Sequence, residues 1–86
     1  MANCGGTKES QGTGQAATEA QAQGRALSHF MANGQAQCAG SKCSVGMTCN
    51  FGITAAQYEA LQWSPAIQVG DKIRISVNGS GVCFCS

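Results

Sequence analysis

Residues 67–85 read IQVGDKIRISVNGSGVCFC and carry the clearest structural pattern in the sequence. Large apolar residues occupy odd-numbered positions from Ile67 to Val77, with polar or charged residues between them. This alternation predicts strands with one buried face, separated by a bulge or a two-residue turn at Gly70-Asp71. The following NGSG at positions 78–81 predicts a hairpin loop that leads into a last strand.

The predicted hairpin determines where the last two cysteines point. A four-residue loop pairs Val77 with Val82 on the core face and places Cys83 and Cys85 on the opposite face. Residues i and i+2 of one strand have Cα atoms about 6.5 Å apart and parallel side chains, so these cysteines are poor partners for each other. Each is therefore expected to bond a separate segment, the N-terminal arm or the 38–49 loop, or both ligate one metal.

Cysteines are the main candidates for holding the fold together. Leu, Ile, Val and Phe make up only 13 of the 86 residues, which predicts a thin core. Disulfides that close loops of about 35 to 45 residues would each stabilise such a chain by roughly 3 to 4 kcal/mol. The sequence does not choose among the possible pairings. The predicted disulfide or metal-ligating residues are Cys4, Cys38, Cys43, Cys49, Cys83 and Cys85.

Composition divides the chain into a helical half and a β half. Residues 1–37 are rich in Ala, Gln and Gly, whereas residues 45–85 hold every Val and Ile. We predict a flexible arm over residues 1–12 and a single α+β domain over 13–86, with one Ala-rich helix packed on an antiparallel sheet of three or four strands. The helix is expected from about Gly14 to Asn33, with Asn33-Gly34 as its stop. Its predicted apolar face is Ala16, Ala20, Gly24, Leu27, Phe30 and Met31.

The sequence in the centre of the chain predicts a short strand followed by a short helix. Met47 to Ile53 is the candidate strand, and the capping-box pattern at residues 54–57 (TAAQ) predicts a helix from Ala55 to Gln62. Tyr58 and Trp63 flank this helix. They form a candidate binding patch, with packing in the core as the alternative.

Charge and hydropathy exclude several classes of function. The net charge is +1 and only 10% of residues are charged, with no basic stripe, so no nucleic-acid partner is expected. No apolar run is long enough to span a bilayer, so no membrane insertion is expected. A polar surface with so little charge favours a protein partner or self-assembly.

The indications of compartment disagree. Six cysteines in a small chain favour a secreted or extracytoplasmic protein. Residues 1–25 contain no apolar segment of the kind that signal peptides have, so no signal peptide is expected in this sequence.

Catalytic motifs are lacking in the sequence. His29 is the lone histidine, the acidic residues form no pair, and no nucleophile elbow, zinc-protease or P-loop motif occurs. Residues 12–17 (GTGQAA) match G-x-G-x-x-A, but the polar residues before them do not predict the strand that a dinucleotide site needs. We therefore predict no enzyme and no cofactor, but a small cysteine-stapled binding or structural module, one subunit of a larger assembly.

Metal or cluster binding is the alternative function. The central cysteines are spaced C-x4-C-x5-C and the last two C-x-C. Only the C-x4-C spacing is one that structural zinc sites use. It also resembles part of the ligand loop of plant-type ferredoxins. Zinc or an iron–sulfur cluster would then be held by the 38–49 loop together with Cys83 or Cys85.

A third function comes from a resemblance. Residues 43–61 (CSVGMTCNFGITAAQYEAL) resemble the opening of PAAR-like proteins, which cap the spike of contractile secretion systems. The family pattern has a small-residue pair, an alternating strand, then Cys-Ser-Phe-Gly and a downstream Leu, and residues 46–52 (GMTCNFG) with Leu61 are similar to it. The resemblance implies a spike-tip protein with Cys49 and Cys83 as metal ligands. The family's metal-binding histidines have no counterpart after residue 29, and the first half of this chain has none in the family.

Overall fold

The fold is one long helix packed on an antiparallel sheet. The structure, a computed structural model, describes residues 3–39, 43 and 45–86, with the backbone alone for residues 3–5. The strands are β1 (Asn3–Ala16), β2 (Cys49–Gly52), β3 (Gln62–Trp63), β4 (Ile67–Val69) and β5 (Lys72–Cys85), and the helices are α1 (Glu19–Cys38) and α2 (Ala55–Glu59). This arrangement confirms the predicted α+β class, with five strands in the sheet.

Strand β5 is the centre of the sheet. It pairs with β1 along almost its whole length on one side, and with β2, β3 and β4 in turn on the other. The predicted turn between β4 and β5 is present, and Gly70 adopts a positive φ of 64° there. The described part of the molecule is elongated, with extents of 48 × 22 × 15 Å.

The predicted hairpin at residues 78–81 is wrong, because β5 runs through these positions without a turn. Gly79 and Gly81 leave space on the helix side of the sheet, where Leu61 and Phe51 fill it. Tertiary packing therefore overrides the local turn preference of the NGSG segment. Without a turn the alternation of β5 continues, so Cys83 and Cys85 lie on the same buried face as the apolar residues before them. The prediction that they lie on the opposite face is wrong.

Strand β1 occupies the segment for which a flexible arm was predicted. Its residues alternate between buried and exposed from Ser10 to Ala16, and every buried one is small. A Cβ atom added at Gly12 would overlap the backbone of Ala26 and Phe30 in α1. The two elements therefore lie backbone against backbone, and the glycines of the GTGQAA match serve this packing.

Helix α1 begins and ends about five residues later than the sequence predicts. Thr18 is its N-cap and accepts a hydrogen bond from Gln21 N (3.2 Å). The expected stop at Asn33-Gly34 is wrong, since Gly34 lies within the helix against the ring of Phe51. The expected apolar face is correct in part: Phe30 is buried, and Leu27 and Met31 are partly buried and pack against the core. Ala20 and Gly24 are exposed, and Ala16 is buried in β1 instead of in the helix. The buried face consists of Ala22, Ala26, Phe30, Gly34 and Cys38, each four residues after the last.

The core lies between α1 and the sheet in two clusters. The smaller one joins Ala16, Ala22 and Ile75 near the start of α1. The larger one contains Phe30 and Phe51, whose rings meet edge to face with centroids 5.8 Å apart. Three cysteines complete the larger cluster, so sulfur takes space that larger apolar side chains fill in other cores.

A polar stripe on α1 covers the free edge of β1. Four helix positions, each four residues apart, contact the backbone of every second residue of β1. Four helix residues rise about 6 Å and two strand residues about 6.7 Å, so the two periods match closely. The contacts run from Arg25 Nη1 to Gln15 O (3.1 Å), from Thr13 N to His29 Nδ1 (3.0 Å), from Asn33 Nδ2 to Gln11 O (2.6 Å) and from Gln37 Nε2 to Glu9 O (2.5 Å).

The edge of β2 is covered in a similar way by one side chain. Gln35 donates from Nε2 to Cys49 O (3.0 Å) and accepts from Phe51 N through Oε1 (2.8 Å). Its carboxamide thus takes the place of a neighbouring strand residue. Side chains of α1 therefore satisfy backbone groups at the edges of both β1 and β2.

Removing the imidazole of His29 should expose one amide of β1. We expect His29→Ala to speed hydrogen exchange at the Thr13 amide by about tenfold or more, because that amide donates to the imidazole. Amide exchange followed by NMR measures this. Ser28→Ala, at the neighbouring exposed position, should change nothing. Equal exchange at Thr13 in both variants would show that the contact gives no protection.

The segment between β2 and β3 agrees in part with the sequence. Thr54 accepts from Gln57 N and Gln57 Oε1 accepts from Thr54 N, so the predicted capping box is confirmed. The helix ends at Glu59 instead of Gln62, and β2 covers only Cys49–Gly52 of the predicted strand. Within the described residues, neither helix has the length and hydropathy that a membrane span requires.

Candidate functional site

The first disulfide joins the end of α1 to the central strand. Cys38 and Cys83 are both fully buried, their Cα atoms are 5.6 Å apart, and 45 residues separate them in sequence. Because Cys38 is the last residue of α1, the bridge fixes the C-terminal end of the helix on β5. The prediction that Cys83 bonds a distant segment is confirmed.

The second disulfide joins Cys43 to Cys85, with Cα atoms 5.8 Å apart and a separation of 42 residues. It anchors position 43, in the connection between α1 and β2, two residues beyond the first bridge on β5. Both bridges therefore link the 38–49 region to β5, which was one of the two arrangements predicted. Cys83 and Cys85 bond separate partners, as their positions on one strand require.

Cys49 lies beside the first bridge. It is itself disulfide-bonded, and its sulfur, with those of Cys38 and Cys83, forms a buried group in which all Sγ atoms are within 4.8 Å of one another. The sequence analysis assigned these three residues to staples or ligands without showing that they meet. The side chain of Cys4, the sixth predicted site residue, lies outside the described residues.

The sulfur group has the chemistry of a thiolate metal site, but only after reduction. Zinc takes thiolates at about 2.3 Å, which places neighbouring sulfurs of a tetrahedral site about 3.8 Å apart. The sulfurs of Cys38 and Cys83, bonded at 2.03 Å, would have to separate to that spacing after reduction. In the disulfide form Cys38 and Cys83 offer no thiolate. The described state therefore fits a structural disulfide and not a metal site.

Tyr58 and Trp63 are the candidate binding patch. Their side chains are 50% and 37% exposed, so neither is a core residue. Trp63 lies on β3 opposite Val77, and Tyr58 lies in α2. The alternative of core packing is therefore wrong for both, and the binding patch stays a prediction.

The histidine and the acidic side chains form no cluster among the described residues. His29 accepts a backbone hydrogen bond at the edge of β1 and so has a structural role. The acidic residues Glu9, Glu19, Glu59 and Asp71 are all exposed, and each lies on a different element or turn. The structure brings no two of them into a described contact, in keeping with the scattered pattern in the sequence.

The sequence analysis did not predict the polar face of the sheet. The face of the sheet away from α1 carries polar cross-strand pairs, among them Thr13 with Ser76, whose hydroxyls are 3.1 Å apart, and Gln15 with Arg74. The missed signal is the alternation of polar residues with Gly and Ser over residues 7–16. That alternation has the period of a strand even though no large apolar residue takes part.

Comparisons with known proteins add no relative. No family model matches the chain, and neither a curated protein nor a solved structure is significantly similar to it. The PAAR-like resemblance of residues 43–61 stays a prediction.

Proposed function

We propose that the protein is a non-enzymatic module, stapled by disulfides, with a structural or binding role in a larger assembly. The observation that carries this proposal is that both described bridges end on the central strand, at Cys83 and Cys85. They anchor the end of α1 and the connection after it to β5. A protein with so thin a core gains a surface of fixed shape in this way, which a binding or structural role requires.

The use of polar groups supports the same role. The lone histidine and several amides of α1 are occupied in covering strand edges. The net charge of +1 gives weak repulsion between molecules, which favours association. Tyr58 and Trp63 are large, exposed side chains of the kind that contribute most to protein interfaces, and we assign the partner contact to them.

Metal binding is the second candidate function, and the proximity of three buried sulfurs favours it. In a chain that is isolated fully reduced, Cys38, Cys49 and Cys83 would hold zinc or iron as thiolates. Among the described residues, Cys43 or Cys85 would supply a fourth ligand, because the second bridge ends two residues along β5 from Cys83. This function and the staple use the same atoms, so one measurement separates them.

Intact mass decides between the two functions. We expect the mass of the isolated chain to rise on denaturing reduction by two hydrogens for each bridge, including those of Cys38–Cys83, Cys43–Cys85 and Cys49. Native mass spectrometry should show no metal adduct. An unchanged mass together with stoichiometric zinc or iron would overturn the staple and support the metal site. Co-purification with a trimeric secretion spike would support the PAAR-like function instead.

A further inference from the structure

The open face of the sheet carries a groove that no function above uses. The groove is shallow and largely open to solvent, with a volume of about 770 Å³. It crosses β1, β5 and the segment around β3, and amides from α1 reach its rim. The side chains that dominate its lining are Glu9, Gln11, Asn33, Gln37, Gln62 and Asn78.

Three carboxamides form a row across the floor of this groove. Asn78 of β5 is the register partner of Gln11 on β1 and of Gln62 on β3, so the three side chains lie at one level on three adjacent strands. They share a face because the neighbouring residues, Gly12 and Val77, point towards α1. All three are exposed to solvent.

The rim of the groove is held in place by α1. Asn33 and Gln37 donate their amide hydrogens to the backbone oxygens of Gln11 and Glu9. These bonds fix the orientation of both amide planes at the edge of the groove. The Cys38–Cys83 bridge, one residue after Gln37, fixes the end of the helix that carries them. These two rim amides are therefore positioned before any ligand arrives, which reduces the entropy cost of contacts with them.

The chemistry of the lining selects one class of ligand. Each carboxamide both donates and accepts hydrogen bonds, and Glu9 accepts only. None of the lining residues is cationic, so a phosphate or carboxylate would meet a negative charge without compensation. The absence of large apolar side chains from the same lining disfavours lipids and other apolar ligands. Paired donors and acceptors without positive charge match the vicinal hydroxyl groups of a neutral sugar.

We propose that this groove binds neutral oligosaccharides through the carboxamides of Gln11, Gln62 and Asn78. The inference rests on the proposed binding role and names its ligand class. Without an aromatic platform in the lining, affinity comes from hydrogen bonds alone and lies in the millimolar range, at a dissociation constant of about 1 mM.

The test is a titration of the ¹⁵N-labelled, oxidised protein with two neutral oligosaccharides, cellohexaose and maltohexaose. We expect saturable shifts of the side-chain NH₂ signals of Gln11, Gln62 and Asn78 with at least one of them. An oligogalacturonate of similar length should bind at least about tenfold more weakly, because of Glu9. Asn78→Ala and Gln62→Ala should each weaken binding by about tenfold, whereas Gln23→Ala, on the exposed face of α1, should not.

Three outcomes would overturn the groove as a sugar site. They are the lack of saturable shifts with both neutral oligomers, binding of the anionic oligomer as tightly as the neutral ones, and unchanged binding by Asn78→Ala. Circular dichroism of each variant controls for folding. A failed titration of a protein with intact bridges would leave the stapled module standing, whereas the mass measurement above tests the module without reference to any sugar.

Discussion

Gly14→Ala is expected to destabilise the protein by about 3 kcal/mol, the upper end of the range for overpacking a core. A Cβ atom at this position would overlap the carbonyl oxygen of Ala22 and the backbone nitrogen of Ala26. These are helix backbone atoms, which cannot move aside as a flexible side chain does. Helix α1 must shift as a whole, and its contacts with β1 and Ile75 weaken together. Thermal unfolding followed by circular dichroism should show a fall in melting temperature of about 15 °C.

Gly24→Ala is the matched control, because it adds the same methyl group to a glycine of α1. Gly24 is exposed and has no atom within 4 Å of an added Cβ. Alanine is the better helix former by about 1 kcal/mol, so this variant should melt higher than the parent. The same substitution thus has opposite effects at two glycines ten residues apart. Equal melting temperatures for the two variants would contradict the close packing of α1 on β1.

Removing the buried disulfide should have an effect of similar size. Because Cys43–Cys85 stays closed, the double substitution Cys38→Ala with Cys83→Ala opens a ring of only about nine residues, for which chain entropy predicts a loss of about 2.5 kcal/mol. Such a loss is a large part of the stability of a small domain. We expect the melting temperature to fall by about 15 °C. A fall of only a few degrees would show that apolar packing, and not the bridge, holds the end of α1.

The second bridge is the comparison for the first. Its removal opens the same ring while Cys38–Cys83 stays closed, so the entropic losses of the two double variants should be almost equal. Cys43 is only partly buried, whereas Cys38 and Cys83 are fully buried. The variant without Cys38–Cys83 therefore also leaves a cavity, and it should be the less stable of the two. The reverse order would show that the packing of sulfur in the core contributes little.

Signals confined to a few neighbouring residues were predicted well. Thr54 and Gln57 form the expected capping box, and Gly70-Asp71 forms the expected turn. In both cases the hydrogen bonds and the backbone geometry depend on residues within the motif itself. The separate partners of Cys83 and Cys85 follow from the same kind of local geometry, the period of a single strand.

Signals that depend on packing misled the sequence analysis. Gly34, Gly79 and Gly81 are each typical of a stop or a turn, but each makes room for a large side chain from elsewhere in the chain. Phe51 and Leu61 are those side chains, and nothing in the local sequence shows where they pack. A glycine in this sequence can therefore mark either a turn or helix stop, or a position of close packing, and only the fold distinguishes the two.

Strand β1 could not be found from hydropathy, because its buried face has no large apolar residue. Ser10, Gly12 and Gly14 are small so that the helix backbone can approach, which is the reverse of the usual strand pattern. The row of Gln11, Asn78 and Gln62 was missed for the same reason. With β1 assigned to an arm and a hairpin placed at residue 78, these three residues had no common face.

The covered edges of β1 and β2 have a consequence for how this protein behaves when concentrated. A chain rich in Gln and low in charge has features suited to cross-β fibrils, which grow when one molecule's exposed edge templates the next. Here α1 occupies those edges with its own side chains. Fibril growth from these two edges then requires the helix to detach first, so polymerisation through them should follow the opening of α1, and not the number of collisions between folded molecules.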